Sequence, residues 1–215
     1  MPSIPYREQV LQLREDAIVE AVNCLLVSKG YELMTVDEVA AEAGLSKASL
    51  YKHFSSKEEL AAAAMIRLLE RAIAQVAGQR AQAPQVTARA QLETLVRWTL
   101  KVQLAGEMPS LPAANSRLTA ALRGNRRYAD RVIELSDLLG EWIVAAQGEG
   151  ALDAMLPPEV ILYTLFARAC DPVLAVLKAS GQHAEADIVE WLLRSTFQGI
   201  GAALAAAPKA AGRGG

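Results

Sequence analysis

The sequence predicts an all-α protein: a small N-terminal helix-turn-helix unit followed by a larger helical domain. Three observations carry this. Of the 215 residues, 52% are hydrophobic but only 5% aromatic, with many Ala and Leu, a composition typical of helices. Apolar positions recur at helical spacing, and no stretch shows the two-residue rhythm of a strand. Residues 35–60, TVDEVAAEAGLSKASLYKHFSSKEEL, compress three helix starts and one tight turn into a short segment.

In chain order, residues 1–9 read as an arm. Residues 14–29 form an amphipathic helix whose stripe is Ala17, Ile18, Ala21, Val22, Leu25 and Leu26, with Gly30 as a stop signal. Cys24 stands beside that stripe and reads as a small core residue. Thr35 opens a capping box with Glu38, and Met34 and Val39 occupy the staple positions. Gly44 supplies the turn. Ser46 caps the next helix, with Leu45 and Leu50 as its staple, and Ser56 with Glu59 forms a further box. A long helix should then run from Lys57 to about Gln75. Pro84 punctuates the following stretch. Further helices are expected near 87–105, 115–123, 126–147, 158–178 and 185–205, with loops at 106–115 and 149–157. Asp171-Pro172 should kink or end the fourth of these. The boundary is placed near residue 60, giving domains of 1–60 and 61–207. Residues 208–215 read as a disordered tail.

Two short helices joined by a glycine turn can insert the second into the DNA major groove. From Gly44 to Lys57 the chain carries Lys47, Lys52, His53 and Lys57 and no acidic residue. Ser46, Ser49 and Tyr51 add uncharged hydroxyls, the groups that position a phosphate backbone. Asp37, Glu38 and Glu42 on the preceding helix are expected to lie away from this face. Overall charge does not announce the partner. The formal net charge is −2, and residues 1–60 hold six Lys and Arg against ten Asp and Glu.

The segment resembles the DNA-binding domain of TetR-family transcriptional regulators. The resemblance rests on Thr35, Ala40, Gly44, Ser46-Lys47, Leu50-Tyr51-Lys52-His53-Phe54 and Ser56-Lys57-Glu58-Glu59-Leu60, and covers roughly residues 10–60. Ala48 departs from the Gly or Pro often found there. The resemblance implies a homodimer, a pseudo-palindromic operator and a small-molecule effector. Thr35, Ser46, Lys47, Ala48, Ser49, Tyr51, Lys52, His53 and Lys57 become the expected DNA contacts. Lys47, Tyr51, His53 and Lys57 are assigned to phosphates, while Ser46, Ala48, Ser49 and Lys52 face or flank the bases.

The resemblance also implies that the last two long helices pack into a four-helix bundle between two copies. Both are apolar on more than one side, and Val160, Trp191, Phe197 and Ile200 are the expected interface positions. For an effector pocket the expected residues are Trp98, Met108, Trp142 and Phe166, with Gln103, Asn115 or Cys170 as polar contacts. Such a lining favours an apolar or aromatic ligand.

Other function classes find little support. His53 and His183 are the only histidines and Cys24 and Cys170 the only cysteines, so no metal set is spelled out. Nucleophile elbows and phosphate loops are absent, and neither catalysis nor a cofactor is expected. No apolar core marks a signal peptide, and apolar runs such as Val160–Ala167 fall short of the ~20 residues of a membrane span, so a cytoplasmic setting is expected. The expected function is a ligand-responsive transcriptional regulator, a repressor released from its operator by a small apolar effector. The alternative is a helical small-molecule-binding or scaffold protein of the same fold without operator binding.

Overall fold

The computed structural model describes residues 5–82, 85–109 and 116–199. Among the described residues every regular element is helical. They are α1 (Tyr6–Leu33), α2 (Val36–Glu42), α3 (Lys47–Leu50), α4 (Lys57–Gln82), α5 (Ala88–Leu104), α6 (Arg117–Gly124), α7 (Arg126–Gly148), α8 (Pro158–Ala167), α9 (Pro172–Ser180) and α10 (Glu185–Gly199). A 3₁₀ turn, Arg168–Cys170, separates α8 from α9.

Local chemistry accounts for the ends. Thr35 and Glu38 form the complete capping box of α2. Ser46 accepts from the Ser49 amide at α3, and Asn125 from the Tyr128 amide at α7. At Ser56 the box is shifted. Its hydroxyl accepts from the Glu59 amide, but the Glu59 carboxylate reaches back to the amide and hydroxyl of Ser55. Gly44 has φ 65°, and the Leu45 amide donates to Ala40 while its own donates to Ala41. This Schellman closure needs a left-handed residue. Asp171 caps α9 through the Val173 amide, and Pro172 takes the first helical position, where no amide is missed.

Two buried clusters organise these helices. The first gathers Ile18, Val22, Leu26, Val39, Leu50, Leu60 and Met65, together with Leu118 and Leu122 of α6. The second gathers Val76, Leu92, Leu100, Leu139, Ile143, Ile161, Ile188 and Phe197. Helix α4 runs through both, contributing Leu60–Met65 to one and Ala72 and Val76 to the other. The division between the cores therefore falls within α4, beyond residue 60, and α6 packs with the N-terminal unit.

Several expectations are corrected. The arm is shorter than residues 1–9, because helix begins at Tyr6, and Gly30, at φ 76°, leaves α1 continuing to Leu33 after a kink. Cys24 is exposed, one step off the buried stripe. Helix α3 has four residues, and turn-type bonds from Lys52 to Ser49 and from His53 to Leu50 carry the chain onward. The span Pro158–Ser180 is long and apolar enough to cross a membrane by length and composition, whereas the sequence suggested no such stretch. It is interrupted midway, where Arg168 pairs with buried Asp171 at 2.6 Å. Asn115, Ile200 and residues 208–215 lie outside the described residues.

Candidate functional site

The first site is the outer face of α2 and α3. Leu50 is fully buried, and this anchors the short helix on the first core. The opposite face then carries Ser46, Lys47, Ala48, Tyr51 and Lys52, all exposed, and Ser49 partly so. Thr35 is exposed at the start of α2. Ser46, Lys47, Ser49, Tyr51 and Lys52 thus bring five hydroxyl or ammonium groups to the α3 side of this face.

The acidic residues of α2 are nearer than expected. The Lys47 ammonium donates to Asp37 at 3.0 Å, which raises its pKa from the ordinary lysine value. Lys29 pairs with Glu38, and that contact, with the Thr35 hydroxyl and amide, holds the Glu38 carboxyl below its ordinary range. Lys57 is also engaged. Its ammonium donates to the Glu32 carbonyl at 3.2 Å and lies 4.5 Å from the centre of the Tyr31 ring. Lys52 has no such partner among the described residues. His53 is turned inward, with a side chain only 10% exposed and Nδ1 3.5 Å from Glu15. It faces a polar hollow of about 430 Å³ bordered also by Glu59, Arg67, Glu70 and Arg127.

The second site is a cavity of about 230 Å³ within the larger domain, walled by α4, α5, α7 and α8. Leu69, Ala72, Leu95, Val132, Leu139 and Leu165 form much of its surface. Trp98, Met108 and Phe166 meet there. Trp142 does not: it is buried in the second core, with the Arg80 guanidinium 5.3 Å from its ring centre. Gln103 spends its amide on the Arg168 carbonyl, and Cys170 sits in the 3₁₀ turn and is not part of the wall. Tyr128 and Thr99, neither of them among the expected pocket residues, line the cavity as well. Tyr128 follows the α7 cap by three residues, so its side chain lies one turn into the helix, on the face shared with Val132 and Leu135.

This cavity borders the N-terminal unit. Its residue Met108 belongs to the α5–α6 loop, where Glu107 pairs with Arg71 at 2.6 Å. The Asn23 amide of α1 donates to the Glu107 carbonyl at 3.1 Å. Gly106 stands against Val27, which a Cβ would meet at 3.9 Å. Tyr128 both lines the cavity and packs on the first core.

On the outside of α8–α10, large apolar side chains face solvent. Val160 is 48% exposed, Tyr163 68%, Val176 68% and Trp191 45%. Phe197 differs. It is 2% exposed within the protomer's own core, with Arg89 over its ring.

Comparison with known proteins agrees with this architecture. The sequence model for bacterial regulatory proteins of the tetR family matches residues 18–64. The transcriptional regulator AlkX of Mycobacterium tuberculosis is 33% identical over 70 residues, 33% of each chain. The transcriptional activator FasR of Mycolicibacterium smegmatis is 38% identical over 63 residues, 29% of each. The chain therefore matches about a third of the length of these curated relatives. The fold extends further. The fatty acid degradation regulator FadR of Bacillus halodurans superposes with a TM-score of 0.67 at 17% identity, covering 93% of this chain and 98% of that one. The FadR regulator of Bacillus subtilis, in complex with stearoyl-CoA, gives 0.64 at 16% identity over 88% and 99%. Residues 18–64 thus match the tetR family of bacterial regulatory proteins, and the helical architecture that follows is shared with solved regulators across nearly the whole chain.

Proposed function

We propose that the protein is a dimeric, ligand-responsive transcriptional regulator, a repressor released from a pseudo-palindromic operator by a small apolar effector. The observation that carries this is the exposed face of Ser46, Lys47, Ala48, Tyr51 and Lys52 on a helix pair closed by Gly44, with Asp37 paired to Lys47 beside it. A major groove receives such a face, and two copies of it would enter grooves ~34–36 Å apart or a multiple of that. Lys47, Tyr51 and Lys57 serve phosphates. Ser46, Ala48, Ser49 and Lys52 lie at the bases, with Thr35 at the start of α2, while His53, turned inward toward Glu15, is left out of the contact.

The effector half of the reading is supported by the apolar cavity and by its loop connection to α1. Relatives point the same way, since the Bacillus subtilis regulator of like fold holds stearoyl-CoA. Division of the chain into an N-terminal reading unit and a larger effector and dimerisation unit follows, with α4 joining them. The exposed apolar face of α8–α10 supports a second copy as its cover, with Val160 and Trp191 in the contact.

The test is selection of bound fragments from genomic DNA, followed by fluorescence anisotropy on the recovered sequence. The expected result is a two-fold symmetric site bound by a dimer, with affinity falling steeply as salt rises. Recovery of no enriched sequence would remove the regulator reading and leave a helical small-molecule-binding protein.

A further inference from the structure

The inner cavity carries chemistry narrow enough to name a ligand class. It is bordered by Leu, Val, Ala, Met and aromatic side chains, and no charged residue lies among them. Among the described residues the polar groups in its lining belong to Thr99, Tyr128 and the indole of Trp98. Thr99 donates its hydroxyl proton to the Leu95 carbonyl at 3.0 Å, so only its oxygen lone pairs remain. The Tyr128 hydroxyl has no hydrogen-bond partner among the described residues, and burial pushes its pKa up from the ordinary tyrosine value, with Cys170 adding to the shift. It therefore keeps its proton at neutral pH and offers one donor.

Size narrows the class further. A dry apolar cavity of ~150 Å³ accepts a benzene-sized guest. The present cavity is about 230 Å³, room for about nine carbons on the same scale, and below the range of roughly 300–1,000 Å³ usual for drug-sized ligands. A carboxylate placed inside would lose its hydration and meet no cation among the described lining residues. The Arg71 guanidinium, 6.0 Å from the Trp98 ring centre, is not part of the wall and is paired with Glu107.

Resting on the reading of this cavity as the effector site, we infer that the ligand is an uncharged, medium-length aliphatic molecule of about nine carbons bearing one hydroxyl or carbonyl group that accepts from Tyr128.

The experiment is calorimetric titration of the 215-residue chain, without DNA, using a series of straight-chain primary alcohols from hexanol to tetradecanol and the matching carboxylates. Affinity should rise about fourfold per added carbon and level off near nonanol. Nonanoate should bind at least roughly tenfold more weakly than nonanol. Tyr128→Phe should weaken nonanol by about two- to tenfold and leave the gain per carbon unchanged. Ala72→Leu, with its fold checked by thermal melting, should shift the plateau to shorter alcohols. Affinity that keeps climbing to tetradecanol, or carboxylates that bind as well as alcohols and lose that binding in Arg71→Ala, would overturn the inference. Operator affinity is measured separately. Alcohols that bind as described without changing it support the ligand class and count instead against the effector reading.

Discussion

At the residue scale, the proposed DNA-reading face is held in an internally paired state. Lys47 rests on Asp37, and Lys57 on the Glu32 carbonyl and the Tyr31 ring. In the proposed reading, Lys47 exchanges Asp37 for a phosphate when DNA binds. Lys47→Ala and Lys57→Ala should each weaken all sequences alike and lower the salt slope by ~1. Asp37→Asn should act in the opposite direction, raising affinity for specific and non-specific DNA together. Anisotropy titrations at several salt concentrations check all three, and an unchanged slope in both lysine variants removes the phosphate assignment. A second prediction concerns Glu38. Its carboxyl is held below the ordinary value of 4.5 by Lys29 and Thr35. A depressed folded pKa adds stability above the unfolded value, and this is lost as pH falls through the folded one. Glu38→Gln should therefore flatten the decline in melting temperature on the acid side of pH 4.5 and change nothing about its shape near neutrality. Gly44→Ala tests the turn alone. No atom lies within 4 Å of the added Cβ, and φ is 65°. The cost should be the left-handed penalty of about 1–2 kcal/mol, read by chemical denaturation.

At the element scale, residues 106–108 after α5 form one link between the cavity and the N-terminal unit. Met108 touches the cavity, Glu107 binds Arg71 of α4 and Asn23 of α1, and Gly106 backs onto Val27. Helix α6 follows and inserts Leu118 and Leu122 into the first core. A ligand that moves Met108 acts on α1 and α4 at once. Typical coupling between such sites is ~1–3 kcal/mol, about 5–150-fold in affinity. Glu107→Ala should leave effector affinity and ligand-free operator affinity nearly unchanged and bring their coupling toward one. The measurement is effector titration with and without operator, where reciprocity demands the same factor in both directions. Full coupling in Glu107→Ala would assign transmission to another element.

At the scale of the whole molecule, the outer face of α8–α10 is apolar without being covered by the protomer. The 158–180 stretch is long and apolar enough to cross a membrane, yet little of it is buried by the protomer, and a second copy supplies the missing cover in the dimer reading. Tyr163→Asp and Trp191→Glu should give folded monomers by light scattering and lose most operator affinity, because one half-site offers half the contacts. Phe197→Asp should unfold the chain, since that ring is 2% exposed. Wild-type protein that remains monomeric at micromolar concentration counts against the dimer.

The all-helical fold, the three N-caps and the Gly44 turn were legible in the sequence because each depends on residues within about five positions of one another. Ser46 must cap Ser49, and Gly44 must close α2, wherever the unit sits. The effector-side helices were legible for the same reason, by periodicity and by breakers such as Pro172. Tertiary structure decided what distance along the chain hides. Trp98, Met108 and Phe166 line a cavity, yet Trp142, equally aromatic and on an equally amphipathic helix, fills the core. Phe197 and Trp191 belong to one apolar helix, and packing against α5 sends the first inward and leaves the second in solvent. The partners of Lys47, Lys57 and His53 were likewise invisible, since each contact joins separate elements. Local rules determine which residues start, stop and face one side of a helix; only the packing of several helices together decides which side becomes core, cavity or interface.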